Sequence, residues 1–328
     1  MLQLRIPEKV YLCQSFEEVE NEFQFTEGDF ILTSPALSKK YLKSKYSGLK
    51  ILTAENVSEH ICESDILSSF QEHIPESSKR IIVFGSSALI NYGKLLHKNF
   101  AKEHKKIPLI LVSFLCDAGG EMLSRVTLAN SKDGSLSEIN TLPADSVCLY
   151  PEVPSSDMVY PFIAGTINSL IYASETFIHE MATSHTLLFS REALRLLISS
   201  YRKIVFQNAK LDADLCQSFL LAGNYTGIAR EHTKESLFEP LFEKLSSDIR
   251  DNCHIRLLIF IHLFRKHVFT APTGQIQEYL SYMSTLLECR RSNVYPELLN
   301  LVKCVLPPSG ELHLPPHLDE IEKLISTN

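Results

Sequence analysis

Ile81-Ile-Val-Phe-Gly-Ser-Ser-Ala-Leu-Ile-Asn-Tyr-Gly-Lys94 is the stretch whose reading decides the fold. Ile81 to Phe84 is apolar without the polar alternation of a strand that has one wet face, so it predicts a strand buried on both sides of a parallel sheet. Gly85-Ser86-Ser87 interrupts it, and the apolar spacing from Ala88 to about Glu103 predicts a helix that begins at once. Strand, small-residue turn and helix is a geometry that turns backbone N–H groups and the positive end of a helix dipole toward a phosphate. It is also a short way to close a βα unit, so the turn alone assigns no ligand, and Lys94 reads as solvated.

Working outward, Phe30-Ile-Leu-Thr-Ser34, Leu49-Lys-Ile-Leu-Thr53 and Pro108-Leu-Ile-Leu-Val-Ser-Phe114 read as strands. Arg125-Val-Thr-Leu-Ala129 and Ser146-Val-Cys-Leu-Tyr150 read as further strands, with helical segments at Leu37–Leu42 and Ile66–Ile74 between them. Strands alternating with helices call for a mostly parallel sheet covered on both faces. The prolines and small polar residues of Tyr150-Pro-Glu-Val-Pro-Ser-Ser-Asp157 suit a linker. Beyond it the pattern turns helical, as in Arg191–Arg202 and Gln275–Leu287. The expected architecture is an α/β domain over residues 1–153 followed by an all-α domain over 154–328.

Composition bounds the function. The 328 residues are 45% hydrophobic and 22% charged, ordinary for a globular protein with a sizeable core. A formal net charge of −7 provides no global positive field for a nucleic-acid backbone. Leu257 to Phe264, the most apolar late stretch, is too short to span a bilayer and lies between Arg256 and Arg265. The first residues lack the pattern of a signal peptide, and the eight cysteines include no CxxC pair. They read as reduced thiols of a cytoplasmic protein that binds neither nucleic acid nor membrane.

Neither a GxSxG nucleophile turn nor a GxxxxGK[ST] phosphate loop is present. Asn168, Tyr172 and Glu175 stand at i, i+4 and i+7, one face of a helix, which reads either as a buried polar stripe or as the lip of a cleft. His262 reads as a core histidine, and His60, His73, His97 and His104 as residues of polar helix faces. Arg250-Asp-Asn-Cys-His-Ile-Arg256 reads as an anion-binding rim or as a solvated helix start.

Three segments carry a family resemblance. Ile81–Lys94 resembles the GGGSxxDxAK segment of the iron-containing alcohol dehydrogenase and dehydroquinate synthase-like superfamily, with Gly85-Ser86-Ser87 for the three glycines and Asn91 for the aspartate. Pro108–Thr127 resembles its PTTAGTGSEVT segment, Gly119-Gly120-Glu121 falling on Gly-Ser-Glu. Gly165-Thr-Ile-Asn-Ser-Leu-Ile-Tyr-Ala-Ser-Glu175 resembles its TGxDALxHAxE helix, with Asn168 in place of the metal aspartate and Tyr172 in place of a histidine. The maleylacetate reductase branch, which works without a metal, shares that Asn.

The resemblance implies a dinucleotide-binding N-terminal domain, a helical catalytic domain and an active site between them. Gly85, Ser86 and Ser87 would contact the pyrophosphate of NAD or NADP, and Phe114, Leu115 and Cys116 would flank adenine and ribose. Asn168 and Tyr172 would line the substrate cleft, and His232 and His254 would be the catalytic histidines. An Asn amide brings no negative charge, so the conventional metal is expected to be lost. The expected activity is NAD(P)-dependent reduction of a small carbonyl compound, by a chain that could pair as a homodimer. A sugar-phosphate cyclase and a catalytically lapsed nucleotide-binding homologue remain as alternatives.

Overall fold

The computed structural model describes residues 6–42, 46, 48–54, 61–62, 72–129, 136–156, 158–233, 256–257, 259–261 and 274–305. The chain divides into two compact units, Met1–Val153 and Pro154–Asn328.

In the first unit the strands are β1 (Lys9–Leu12), β2 (Asp29–Thr33), β3 (Lys50–Thr53), β4 (Ile61–Cys62), β5 (Arg80–Gly85), β6 (Leu109–Ser113), β7 (Arg125–Ala129), β8 (Leu136–Asn140) and β9 (Ser146–Leu149). Its helices are α1 (Phe16–Phe23), α2 (Pro35–Leu37), continued by a π-helical turn over Ser38–Leu42, and α3 (Ser87–Glu103). Six strands form a parallel sheet in the order β1-β9-β6-β5-β2-β3. β2 and β6 are buried at every position, and β5 at all but Arg80, which is why their letters read as continuous apolar runs. The edge strands β1 and β3 are largely exposed or half-buried, and β1 carries no such run.

From β2 the chain passes outward to β3, whereas from β5 it passes the other way to β6. β2 and β5 are neighbours in register, Thr33 opposite Phe84. Their carboxyl ends therefore flank the switch point of the sheet, where a doubly wound fold opens a crevice. The β2–β5 pair is fastened at its other end by Arg80, whose Nε and Nη2 donate to the buried Asp29 carboxylate at 2.7 and 2.6 Å.

One expectation is refined here, and one falls mostly outside the described residues. Arg125–Ala129 is a strand, but not of the main sheet: it pairs parallel with β4 and antiparallel with β8 in a second, three-stranded sheet. Its alternation of Arg125, Val126 and Thr127, with only Val126 buried, suits a sheet with one wet face. The helix expected over Ile66–Ile74 lies mostly outside the described residues.

Packing of α3 on the sheet is close. A Cβ on Gly93 would stand 2.2 Å from Val83 Cγ2, so only glycine lets the helix axis approach β5 at this level. The covered part of α3 includes polar residues as well. Lys94 and His97, read from the letters as polar-face residues, are both fully buried. His97 Nε2 meets the Ile107 carbonyl at 2.7 Å, and burial pushes its imidazole below the ordinary histidine range.

The second unit is helical: α4 (Val159–Ile178), α5 (Ser184–Gln207), α6 (Ala213–Thr233), α7 (Gly274–Leu286) and α8 (Val294–Val305). Helix α4 is its axis, packed against α5, α6 and α7 and buried over nearly its whole length. Its hydroxyls pair inside the bundle: Tyr201 Oη donates to Thr166 Oγ1 at 2.8 Å, and Tyr279 Oη to Ser174 Oγ at 2.9 Å. Small residues bring α6 onto α4, and Thr226 Oγ1 reaches the Ser169 carbonyl at 3.4 Å. Among the described residues no helix is long and apolar enough to cross a membrane.

Candidate functional site

The Gly85-Ser86-Ser87 turn leaves β5 at the switch point and opens α3. Ser86 is the N-cap, extended at φ −70 and ψ 168, and its side chain makes no capping bond. The first-turn amides of α3 thus keep the donor capacity that every helix start has, with the positive end of the dipole behind them. Ser86 is half-buried. Gly85 has a different justification from close approach of a phosphate: a Cβ there would lie 2.4 Å from Leu89 Cδ1, so the glycine admits Leu89 into the turn.

The loop after β6 is tied to this helix. Ser87 Oγ donates to the Asp117 carboxylate, and the buried Lys94 ammonium donates to the carbonyls of Gly120 and, at 2.7 Å, Leu123. The loop needs such anchors because Ala118 and Gly119 are both left-handed, with φ of 49 and 67. Lys94 is therefore a structural cation holding the segment that contains Gly119, Gly120 and Glu121, which corrects its reading as solvated. Phe114 and Cys116 are buried, at 4% and 1% exposure, while Leu115 is half-buried. Phe114 belongs to an aromatic cluster, its ring 6.1 Å from Tyr41, 5.4 Å from Tyr150 and 6.2 Å from Phe84. It packs the core, and Leu115 is the one of the three with a partly open side chain.

For a dinucleotide the donor set fits. Amides of a helix start and a serine hydroxyl outside any capping bond are pyrophosphate donors, and they stand at the carboxyl end of a parallel sheet. Ser86 and the first amides of α3, that of Ser87 included, would hold the phosphates, with Leu115 the partly open apolar side chain beside them.

In the second unit α4 presents Asn168, Tyr172 and Glu175 on one face, Asn168 half-buried and the other two at 6% and 2% exposure. Tyr172 is the hub. Arg256 Nη2 donates to its hydroxyl at 2.9 Å, and the guanidinium carbon of Arg230 lies 3.7 Å from its ring centroid. Arg256 is itself 8% exposed, its guanidinium carbon 5.6 Å from the same ring. Arg230 arrives because α6 approaches α4 at Thr226 and Ser169; one turn further along each helix, Arg230 meets Tyr172.

The residue of α6 that meets Tyr172 is thus Arg230 rather than His232. Two residues turn a helix by about 200°, so the two side chains leave α6 on different sides. His232 Nδ1 bonds the Ile228 carbonyl of its own helix at 2.7 Å. His254 lies outside the described residues. Arg230 stands two residues before His232 and Arg256 two residues after His254, at the end of the Arg250–Arg256 stretch, and attention to cations in place of a metal would have found them.

Of the polar groups described on this face of α4, the amide, the phenol and the two guanidiniums bring no negative charge to a divalent ion, and Glu175 is the one carboxylate. Among the described residues no group of three His, Cys, Asp or Glu side chains stands together.

No protein-family model matches the chain. It is 24% identical to the 4-hydroxybutyrate dehydrogenase of Clostridium kluyveri over 327 aligned positions, 93% of this chain and 86% of that protein. The maleylacetate reductase structure from Agrobacterium tumefaciens superposes with a TM-score of 0.77 at 15% identity, covering 100% of this chain and 92% of that one. An iron-containing alcohol dehydrogenase from Thermotoga maritima superposes with a TM-score of 0.75 at 11% identity, covering 100% and 93%. The chain thus has, along its whole length, the fold of the iron-containing alcohol dehydrogenase and maleylacetate reductase structures, and it is similar along nearly all of that length to a curated dehydrogenase.

Proposed function

We propose that the protein is an NAD(P)-dependent oxidoreductase that reduces a small carbonyl compound without a conventional metal. The observation that carries the reading is the Gly85–Ser87 turn: an N-terminus without a side-chain cap, at the switch point of a parallel sheet. The dehydrogenase name of the Clostridium kluyveri relative supports the reaction class, and the arginines around Tyr172 support chemistry without a divalent ion. When bound, the reduced nicotinamide supplies the hydride. The chain's own work is to hold the phosphates at Ser86 and the first amides of α3, to keep the β6–β7 loop in place through Lys94 and the Ser87–Asp117 bond, and to stabilise charge on the substrate oxygen.

The test is titration of NADH and NADPH into the purified protein, followed by fluorescence or heat, beside Ser86→Asp. Aspartate is a good N-cap, so this change keeps α3 stable while setting a carboxylate against the phosphates. Saturable binding by the parent and at least tenfold weaker binding by S86D are expected. No binding of either dinucleotide, or equal binding by S86D, would overturn the assignment. A second reading, a nucleotide-binding homologue without turnover, has one observation in its favour: Leu89 fills the space beside Gly85. Binding without reduction of any aldehyde, ketone or oxo acid would select it.

A further inference from the structure

We propose that Tyr172 is the proton donor of the reduction, with Arg256 and Arg230 holding the positive charge that a metal ion supplies in metal-dependent carbonyl chemistry. The proposal rests on the oxidoreductase reading above and adds to it a catalytic residue and two positioning residues.

Three observations converge on one oxygen. The Arg256 guanidinium donates to Tyr172 Oη at 2.9 Å, a charge-assisted bond that becomes stronger as negative charge grows on the phenol. Arg230 lies against the ring face at 3.7 Å, close for a cation–π contact, and stabilises the same developing charge from a second direction. Both cations act where water is scarce, Tyr172 and Arg256 being 6% and 8% exposed. Glu175 lies three residues on along the same face of α4 and is 2% exposed.

The hydroxyl of Tyr172 accepts a guanidinium N–H from Arg256, which favours release of its own proton. Asn168, one turn earlier on α4 and half-buried, stands beside it as an amide able to orient a carbonyl oxygen.

In the reduction a bound nicotinamide would supply the hydride, and the C=O π pair of the substrate would move onto its oxygen. The Tyr172 O–H bond breaks, its pair remaining on the phenolic oxygen, and the proton joins the substrate oxygen to complete the alcohol. The phenolate is held by Arg256 and Arg230 until water returns a proton.

The experiment compares the full chain with Tyr172→Phe, Arg256→Met and Arg230→Lys. Y172F keeps the ring that Arg230 packs on and removes the acid together with the acceptor of the Arg256 bond, the bond that R256M removes while leaving the acid in place. It is expected to lower kcat about 10²- to 10⁴-fold, the range for loss of a general acid, with KM and dinucleotide affinity little changed. A second readout needs neither cofactor nor activity: with tyrosine labelled at ring Cζ, the carbon resonance that Y172F removes should lie downfield of the other tyrosines, toward the phenolate position. It should return upfield in R256M, and R230K should give an intermediate shift. A Y172F protein reducing substrate within a few-fold of the parent, or a Tyr172 resonance among the ordinary tyrosines, would overturn the proposal and leave the oxidoreductase reading standing. Failure of the parent to reduce any carbonyl compound while binding dinucleotide would sink both.

Discussion

At the scale of single residues, buried charge is where letters and structure part company. Lys94 is fully buried, with its ammonium on the carbonyls of Gly120 and Leu123. Lys94→Met keeps the volume and leaves two carbonyls without that donor, at about 1–3 kcal/mol each less the relief of desolvating the cation. A net loss of about 2–4 kcal/mol is expected in urea denaturation, with faster proteolysis in the β6–β7 loop. His97 answers to pH instead. Burial holds its imidazole below the ordinary histidine value, so folding selects the neutral ring. The unfolded chain therefore takes up the proton first as pH falls below about 6.5, and stability drains away from there toward the lower folded value. His97→Gln is expected to flatten that acid limb: the difference between urea midpoints at pH 7 and pH 5 should shrink. An unchanged difference would remove His97 from the acid response.

At the scale of elements, the strand–turn–helix unit was legible because its physics is local. Ile81–Phe84 could only be a strand buried on both faces, and three small residues could only be a turn. The glycine farther along α3 was not legible, since its reason lies across the interface: Gly93 faces Val83 on β5. Gly93→Ala forces a Cβ to within 2.2 Å of a Val83 methyl and is expected to destabilise by about 1–3 kcal/mol. Combined with Val83→Ala, the loss should be smaller than the sum of the two single changes by about 1 kcal/mol, a double-mutant coupling that thermal or chemical unfolding can read. Additive effects would mean that helix and strand do not meet at this level. The edge strand β1 escaped the sequence because Lys9–Leu12 is only four residues long and exposed or half-buried throughout. Arg125–Ala129 reads as a strand, but its place in a second sheet was not legible, because strand propensity carries no information about partners.

At the scale of the whole molecule, the polar cluster on α4 bears on composition in a way that elemental analysis can check. With Asn168, Tyr172 and two guanidiniums at the hub, purified protein is expected to carry far less than one equivalent of zinc or iron after exhaustive dialysis. One tightly held ion per chain would contradict this and would put a carboxylate such as Glu175 into the ligand set. Dinucleotide should raise the unfolding midpoint by mass action, by about 2.7 kcal/mol at a hundredfold excess over Kd.

The sequence by itself determined the class and order of elements: β-rich runs alternating with helices before Val153, helical periodicity after Pro154, and a turn at Gly85–Ser87 between a buried strand and a helix. Those features follow from side-chain periodicity and backbone sterics, which act over a few residues. It also picked out Asn168 and Tyr172 as partners on one helical face, since i and i+4 are neighbours wherever a helix forms. Which cations would meet Tyr172 was decided only by tertiary structure. Arg230 is 58 positions from Tyr172 in the chain and Arg256 is 84, and each lies two residues from the histidine that spacing had favoured. A shift of two positions rotates a side chain more than halfway round its helix, so which member of such a pair faces inward depends on how α6 packs on α4, through Ser169 and Thr226.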